Sequence, residues 1–266
     1  MSDDTSTSPN PTISIVYFFV VTTIYTALNY NAHKSYDEDS GNKGIVYFAI
    51  YILFVVVGEY FINVQLTTTL CGSPQYGTAL ITTVLPWGFM FGGLSLLLSL
   101  LPGWLSPFAN TFGYGLALMA GLNDTMNDIL EPNPTGKKDP KNEFMEQALA
   151  HIYADKSMLI NEITPDNFDY FWKNMKGIFK TGVEENMNLK SKLYSFVQLK
   201  YVISEYIWYI LAGLLVTSVS YNYIINSACG ISAAEMKKRH KEYEDEQDAL
   251  HQSKKTDTKR VYSQTD

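Results

Sequence analysis

The chain has 266 residues, of which 27 are acidic and 20 are basic, so its formal net charge is −7. This slightly acidic balance excludes a strongly basic nucleic-acid-binding protein, and the two cysteines exclude a scaffold held by many disulfides. The charges are unevenly spread, because residues 60–123 contain no Asp, Glu, Lys, Arg or His. An uncharged run of this length excludes a water-soluble globule and predicts a polytopic membrane protein.

The apolar runs predict an all-α transmembrane protein with about four spans, following a polar N-terminal tail at residues 1–12. In the third span, Pro86 is expected to cause a kink. Gly88 and Gly92 are four residues apart and are expected to let another helix approach closely. The four spans are expected at residues 13–30, 44–66, 78–101 and 206–228.

Residues 102–122 complete a transmembrane region that covers residues 13–122, but they form a less regular segment. Pro102, Pro107 and several glycines interrupt its first half, so a helix is expected only from Phe112 to Leu122. A helix of that length is too short to cross a bilayer. We therefore expect a re-entrant segment or one that lies at the membrane interface.

Charged residues return at 123–205, which predicts a small helical extramembrane insert with helix starts at Asp139-Pro140 and Thr164-Pro165. Apolar side chains in its second half recur at three- and four-residue spacing, as in an amphipathic helix. They are Phe168, Phe171, Trp172, Met175, Ile178 and Phe179. A thinner stripe at Phe144, Ala148 and Ile152 suits packing against this helix.

Two interpretations of the aromatic stripe stay open, because it suits either the core of the insert or a surface that meets the bilayer or a partner. Large aromatic side chains are enriched in the hot spots of protein interfaces. The candidate partner-binding residues are accordingly Phe168, Phe171, Trp172, Met175 and Phe179.

The last part of the chain, residues 229–266, is a charged C-terminal tail that is expected to be helical from Ala233 to about Leu250. Its basic and acidic side chains are interleaved, so ion pairs one helical turn apart are expected. Lys238 with Glu242 is one such pair.

Cys71 and Cys229 each follow a predicted span, and each precedes a glycine. Lysines near the spans favour a cytosolic first loop and insert, which puts both cysteines on the opposite face. A disulfide between them is one interpretation, and two free thiols are the other.

Glu59 is the one Asp, Glu, Lys, Arg or His residue inside the predicted spans. A charged carboxylate is costly in a bilayer, so Glu59 is expected to face protein or water. A packing role is the favoured interpretation, and a transport role is the alternative. All four histidines lie outside the spans, and no known catalytic motif is present, so no catalytic, metal or cofactor site is predicted and no enzymatic activity is expected.

Five short stretches together resemble a family of multi-spanning virion membrane proteins from large nucleocytoplasmic DNA viruses of algae and protists. They are residues 70–75 (LCGSPQ), 101–108 (LPGWLSPF), 110–114 (NTFGY), 205–209 (EYIWY) and 218–223 (SVSYNY). The likeness covers roughly residues 60–125 and 185–245. It implies a structural protein of a virion inner membrane or host endomembrane, which joins the bilayer to a capsid or another protein layer.

The partners expected for such a protein are the lipid bilayer, capsid or other virion proteins, and further copies of this chain. No specific nucleic acid is expected. The alternative function is that of a channel or transporter component that uses Glu59 in the second span.

Overall fold

A computed structural model describes residues 10–36, 43–131, 156–227, 229 and 233–258. The described residues fall into two compact units on either side of Asn226. The predicted helix start at Asp139-Pro140 and the stripe at Phe144, Ala148 and Ile152 lie outside the described residues.

Among the described residues, four helices are long and apolar enough to cross a membrane, which confirms the predicted all-α, multi-span class. They are α1 (Thr12–His33), α2 (Lys43–Cys71), α3 (Tyr76–Leu100) and α8 (Met187–Asn226). Pro86 lies in a π-helical stretch of α3, Val84–Phe91. A proline cannot donate the backbone hydrogen bond of an α-helix, and a local π-turn is one way in which a helix accommodates such a gap.

Aromatic rings fill the centre of this membrane bundle. Phe18 of α1 packs against Trp87 of α3 with 5.0 Å between ring centroids, and Tyr25 stacks on Tyr51 of α2 at 4.4 Å. Tyr209 of α8 completes the group, 5.8 Å from Phe91. The outer faces of the four helices are apolar and exposed, as expected of surfaces that meet lipid. Examples are Val20, Ile24, Leu53, Phe61, Leu85, Phe89, Leu211 and Leu215.

Close helix approach in the bundle occurs at glycines other than the predicted pair. An added Cβ at Gly213 would lie 2.0 Å from a ring carbon of Phe18, and one at Gly58 would lie 2.1 Å from the ring of Tyr17. Among the described residues, no neighbouring helix lies within 4 Å of such a Cβ at Gly88 or Gly92, so the close approach predicted for this pair is not seen within the chain. Spacing alone did not show which glycines face a neighbouring helix.

Residues 102–119 are helical without a gap and are named α4, but the helix is irregular. A 3₁₀ turn (Pro102–Leu105), a short α-turn (Ser106–Phe108) and a π-helical stretch (Ala109–Gly113) precede the regular part (Tyr114–Met119). The helix therefore begins before the predicted start at Phe112, although its first half is irregular. Pro102 and Pro107 each lie in the first turn of one of the short pieces, where a proline is tolerated. α4 runs antiparallel to α8: Trp104 packs on Trp208, whereas Gly113 meets the backbone of Lys200. The segment thus leads from the end of the third span towards the extramembrane core.

The extramembrane core is built from short helices packed against the first part of α8. They are α5 (Leu122–Ile129), α6 (Ser157–Asn161) and α7 (Phe168–Asn174). α7 ends earlier than the aromatic spacing suggested, and a 3₁₀ turn, Lys176–Ile178, follows it. Backbone bonds from Glu131 to Ile178 (3.0 Å) and from Lys180 to Ile129 (2.9 Å) hold the chain beyond this turn against the end of α5.

Among its described residues, the second unit forms the helix α9 (Ala233–Thr258), which extends further than the predicted end near Leu250. The expected ion pair between Lys238 and Glu242 is present at 3.9 Å, and His240 lies 3.4 Å from Glu244. Both pairs are well exposed, so each contributes little to helix stability.

Candidate functional site

The feature that joins the two cores of the first unit is α8, a single helix of 40 residues. At about 1.5 Å per residue, such a helix is about 60 Å long, roughly twice the hydrocarbon thickness of a bilayer. Its first part buries Leu193 and Val197 in the extramembrane core, and its second part buries Tyr209 and Val216 in the membrane core. The helix is unbroken between them. One rigid element therefore connects the membrane bundle with the extramembrane core.

The aromatic stripe lies inside the extramembrane core. Phe168, Phe171, Trp172 and Phe179 are buried, and Met175 packs partly buried against them. The indole N–H of Trp172 donates to the backbone oxygen of Glu184 at 3.4 Å. Buried rings cannot meet a partner unless the unit unfolds, so the interpretation of these five residues as a partner-binding face is wrong. The other interpretation, that these side chains form the core of the insert, agrees with their burial.

A polar cluster ties the segment after α1 to this core. The Tyr36 hydroxyl donates to the Asp169 carboxylate, and the Lys190 ammonium donates to the same carboxylate at 2.8 Å. The ammonium also lies 4.0 Å from the centroid of the Tyr36 ring. Sequence reasoning missed this cluster, because its three members are far apart in the chain.

The pKa values in this cluster reflect its hydrogen bonds. Burial raises the pKa of the Tyr36 hydroxyl, and donation to the Asp169 carboxylate raises it further. Partial burial acts to raise the pKa of Asp169, but hydrogen bonds from Lys190 and Tyr36 outweigh it and hold the pKa below its usual value. Asp169 is therefore a carboxylate at neutral pH.

Glu59 is fully buried between α1 and α2. Its Oε2 atom accepts a hydrogen bond of 2.5 Å from the Ser14 hydroxyl, and its Oε1 atom has no partner among the described residues. The expectation that Glu59 faces protein agrees with this placement. One carboxyl oxygen remains available to a proton or a water molecule.

A second polar group lies one turn further along α2. The Asn63 amide donates to the hydroxyls of Thr83 (2.8 Å) and Ser220 (3.1 Å), and Ser220 donates to the backbone oxygen of Thr82 (2.7 Å). These bonds connect α2, α3 and α8. In a bilayer interior they satisfy side chains that would otherwise be costly to bury.

Two further ionisable residues, Lys200 and Glu205, lie on α8 where sequence reasoning placed the extramembrane insert. Lys200 is buried, and Glu205 is half-buried. The helical periodicity of residues 187–205 could have predicted this position, because it continues into the last span without residues typical of a turn.

Both cysteines are oxidised. Cys71, the last residue of α2, is disulfide-bonded, and so is Cys229; neither is a free thiol. Among the described residues, no group of three or more His, Cys, Asp or Glu side chains is placed to hold a metal ion.

Comparison with protein-family models, with curated proteins and with solved structures found no match. The class of the protein therefore follows from its architecture. It is a helical multi-pass membrane protein with four candidate spans and a folded extramembrane core built on the last of them.

Proposed function

We propose that the protein is a structural, non-enzymatic membrane component that links a bilayer to an adjacent protein layer. The observation that carries the proposal is the continuity of α8 between its two buried faces. A flexible tether would leave the extramembrane core free to rotate above the bilayer. A continuous helix instead fixes its height and direction, as a spacer between two layers requires.

Two contacts stabilise α8 where it leaves the membrane bundle. α4 packs along it through Gly113, and the cluster of Tyr36, Asp169 and Lys190 ties the segment after α1 to it. Together with α8, these contacts give the described part of the extramembrane core three connections to the bundle, which suits a rigid link.

The virion inner membrane is the location that the sequence resemblance supports, and a capsid protein is then the adjacent layer. A structural role predicts many copies per particle. Quantitative mass spectrometry of purified particles should find this chain at a fixed ratio to the major capsid protein, whereas trace amounts would contradict the proposal.

The exposed surface of α7 is the part of the core that is best placed to meet the partner. Tyr170 is 75% exposed beside the buried Phe171, and Lys173 is exposed on the same helix. Amine-reactive cross-linking of native membranes should join Lys173 to a second protein. Tyr170→Ala should weaken this cross-link without loss of fold. Links confined to this chain would contradict the proposal.

Transport through the bundle is the second candidate, and the buried Glu59 with one unpartnered oxygen is the observation that favours it. Rings of Phe18, Trp87 and Phe91 pack against one another in the middle of the bundle, which favours a solid core. Proton and cation flux in liposomes should equal that of empty vesicles. Flux that Glu59→Gln abolishes would establish the transport function instead.

A further inference from the structure

A cavity of about 150 Å³, lined mainly by apolar surface but with charged and polar residues in its wall, lies where the third span ends. The exposed Leu100 and Leu101 directly precede its first lining residue, Pro102. Next to it Trp104 packs on Trp208 at 5.9 Å, and tryptophan is the residue typical of membrane–water interfaces. These neighbours put the cavity at the depth of lipid headgroups.

Lys200 forms part of the wall and is only 3% exposed. Its ammonium donates to the backbone oxygen of Ile160 at 2.6 Å and lies 3.5 Å from that of Asn161. No carboxylate of the described residues is within ion-pair distance, and Glu162 acts on the Lys200 charge only from further away. A buried cation without a counter-ion is costly, so an anionic group in the cavity would be stabilising.

Asp166 lines the same cavity and is exposed, and Ser106 and Asn110 add neutral polar groups. The cavity wall therefore contains one basic and one acidic residue. The cavity volume of about 150 Å³ has room for about five water molecules at roughly 30 Å³ each, or for a small headgroup of similar size.

We propose that this cavity binds the headgroup of a phospholipid that carries both a phosphate and a primary amine, such as phosphatidylethanolamine. Lys200 pairs with the phosphate, and Asp166 pairs with the amine. The carboxylate disfavours headgroups that are purely anionic, such as phosphatidylglycerol, because it repels a second negative charge.

The test uses the full chain in nanodiscs of equal parts phosphatidylethanolamine and phosphatidylglycerol, with retained lipid counted by native mass spectrometry. Gly103 lines the cavity, and an added Cβ there meets nothing within 4 Å, so Gly103→Leu adds a large side chain at the cavity wall without an immediate clash. Gly115, on the same helix but outside the cavity, is equally open and gives the control Gly115→Leu.

We expect the wild type and Gly115→Leu to retain one phosphatidylethanolamine per chain, and Gly103→Leu to retain about tenfold less. Equal retention by all three folded proteins would overturn the proposal. An excess of inorganic phosphate should leave the lipid bound. Its displacement by phosphate would overturn the lipid assignment in favour of a free-anion site.

Asp166→Asn tests the amine contact, because this exposed residue can change without disturbing the core. The variant should keep a bound lipid but lose its preference for phosphatidylethanolamine over phosphatidylglycerol. An unchanged preference would contradict the role of Asp166. Lys200→Met should retain neither phosphatidylethanolamine nor phosphatidylglycerol. If this variant does not fold, the results for Gly103→Leu and Asp166→Asn decide whether the cavity binds the lipid.

Discussion

The Ser14 hydroxyl donates a hydrogen bond of 2.5 Å to the Glu59 carboxyl group and so joins α1 to α2 inside the membrane bundle. Glutamine at position 59 keeps an acceptor oxygen for Ser14 and cannot carry a charge. We therefore expect Glu59→Gln to change the free energy of unfolding by less than about 1 kcal/mol, measured by thermal unfolding in detergent.

Ser14→Ala is the matched variant, because it removes the donor and leaves both carboxyl oxygens of Glu59 without their described partner. It should cost about 1–3 kcal/mol. If Glu59→Gln destabilises the protein as much as Ser14→Ala does, the charge of Glu59 is required and the packing role is contradicted.

Adjacent aromatic residues of α7 should respond differently to truncation. Phe171 is buried in the extramembrane core and Tyr170 is exposed. Phe171→Ala should destabilise the core by about 3–5 kcal/mol and speed limited proteolysis between residues 156 and 187, whereas Tyr170→Ala should stay within about 0.5 kcal/mol of the wild type. Similar protease resistance of the two variants would show that the ring of Phe171 is not a core element.

The contact between α4 and α8 should depend on Gly113. An added Cβ there would lie 2.3 Å from the backbone oxygen of Lys200, so Gly113→Ala forces the helices apart. We expect a loss of about 1–3 kcal/mol in thermal unfolding. The control is Gly115→Ala, which has open space and should be neutral or stabilising because alanine favours a helix. Equal stability of the two variants would contradict the packing of α4.

The pairing of Cys71 with Cys229 remains a prediction from their positions, and the oxidised state of both agrees with it. Peptide mapping of unreduced protein should recover one cross-linked peptide that contains both residues. A bond between these residues encloses about 158 positions and should stabilise the fold by a few kcal/mol in the chain-entropy model. Alkylation of both thiols without prior reduction would contradict the pairing.

The spans were predictable because a membrane helix is encoded locally, by an uninterrupted apolar run of sufficient length. Pattern alone predicted too late a start for α4, because Pro102 and Pro107 were interpreted as breaks although each lies in the first turn of a short 3₁₀ or α-helical piece. It also predicted a close approach at Gly88 and Gly92 that is not seen among the described residues, because close approach depends on which face meets a neighbour.

The link between membrane and extramembrane core was harder to predict than either part. Lys190, Lys200 and Glu205 make the first half of α8 look soluble, so the span was predicted to begin at residue 206. The helix nevertheless starts at Met187, because backbone hydrogen bonds continue across a change of side-chain polarity. The burial of Lys200 depends on the backbone oxygen of Ile160, which no local pattern shows.

The most direct test of the account is hydrogen exchange along α8 in nanodiscs. A rigid link requires that amides of residues 198–206, between the extramembrane and membrane cores, exchange as slowly as those around Val197 and Tyr209. Exposed positions of α9 provide a rapidly exchanging reference within the same chain. Slow exchange through residues 198–206 is the predicted result. Fast exchange there, between two protected segments, would show a hinge and contradict the role of α8 as a rigid connection.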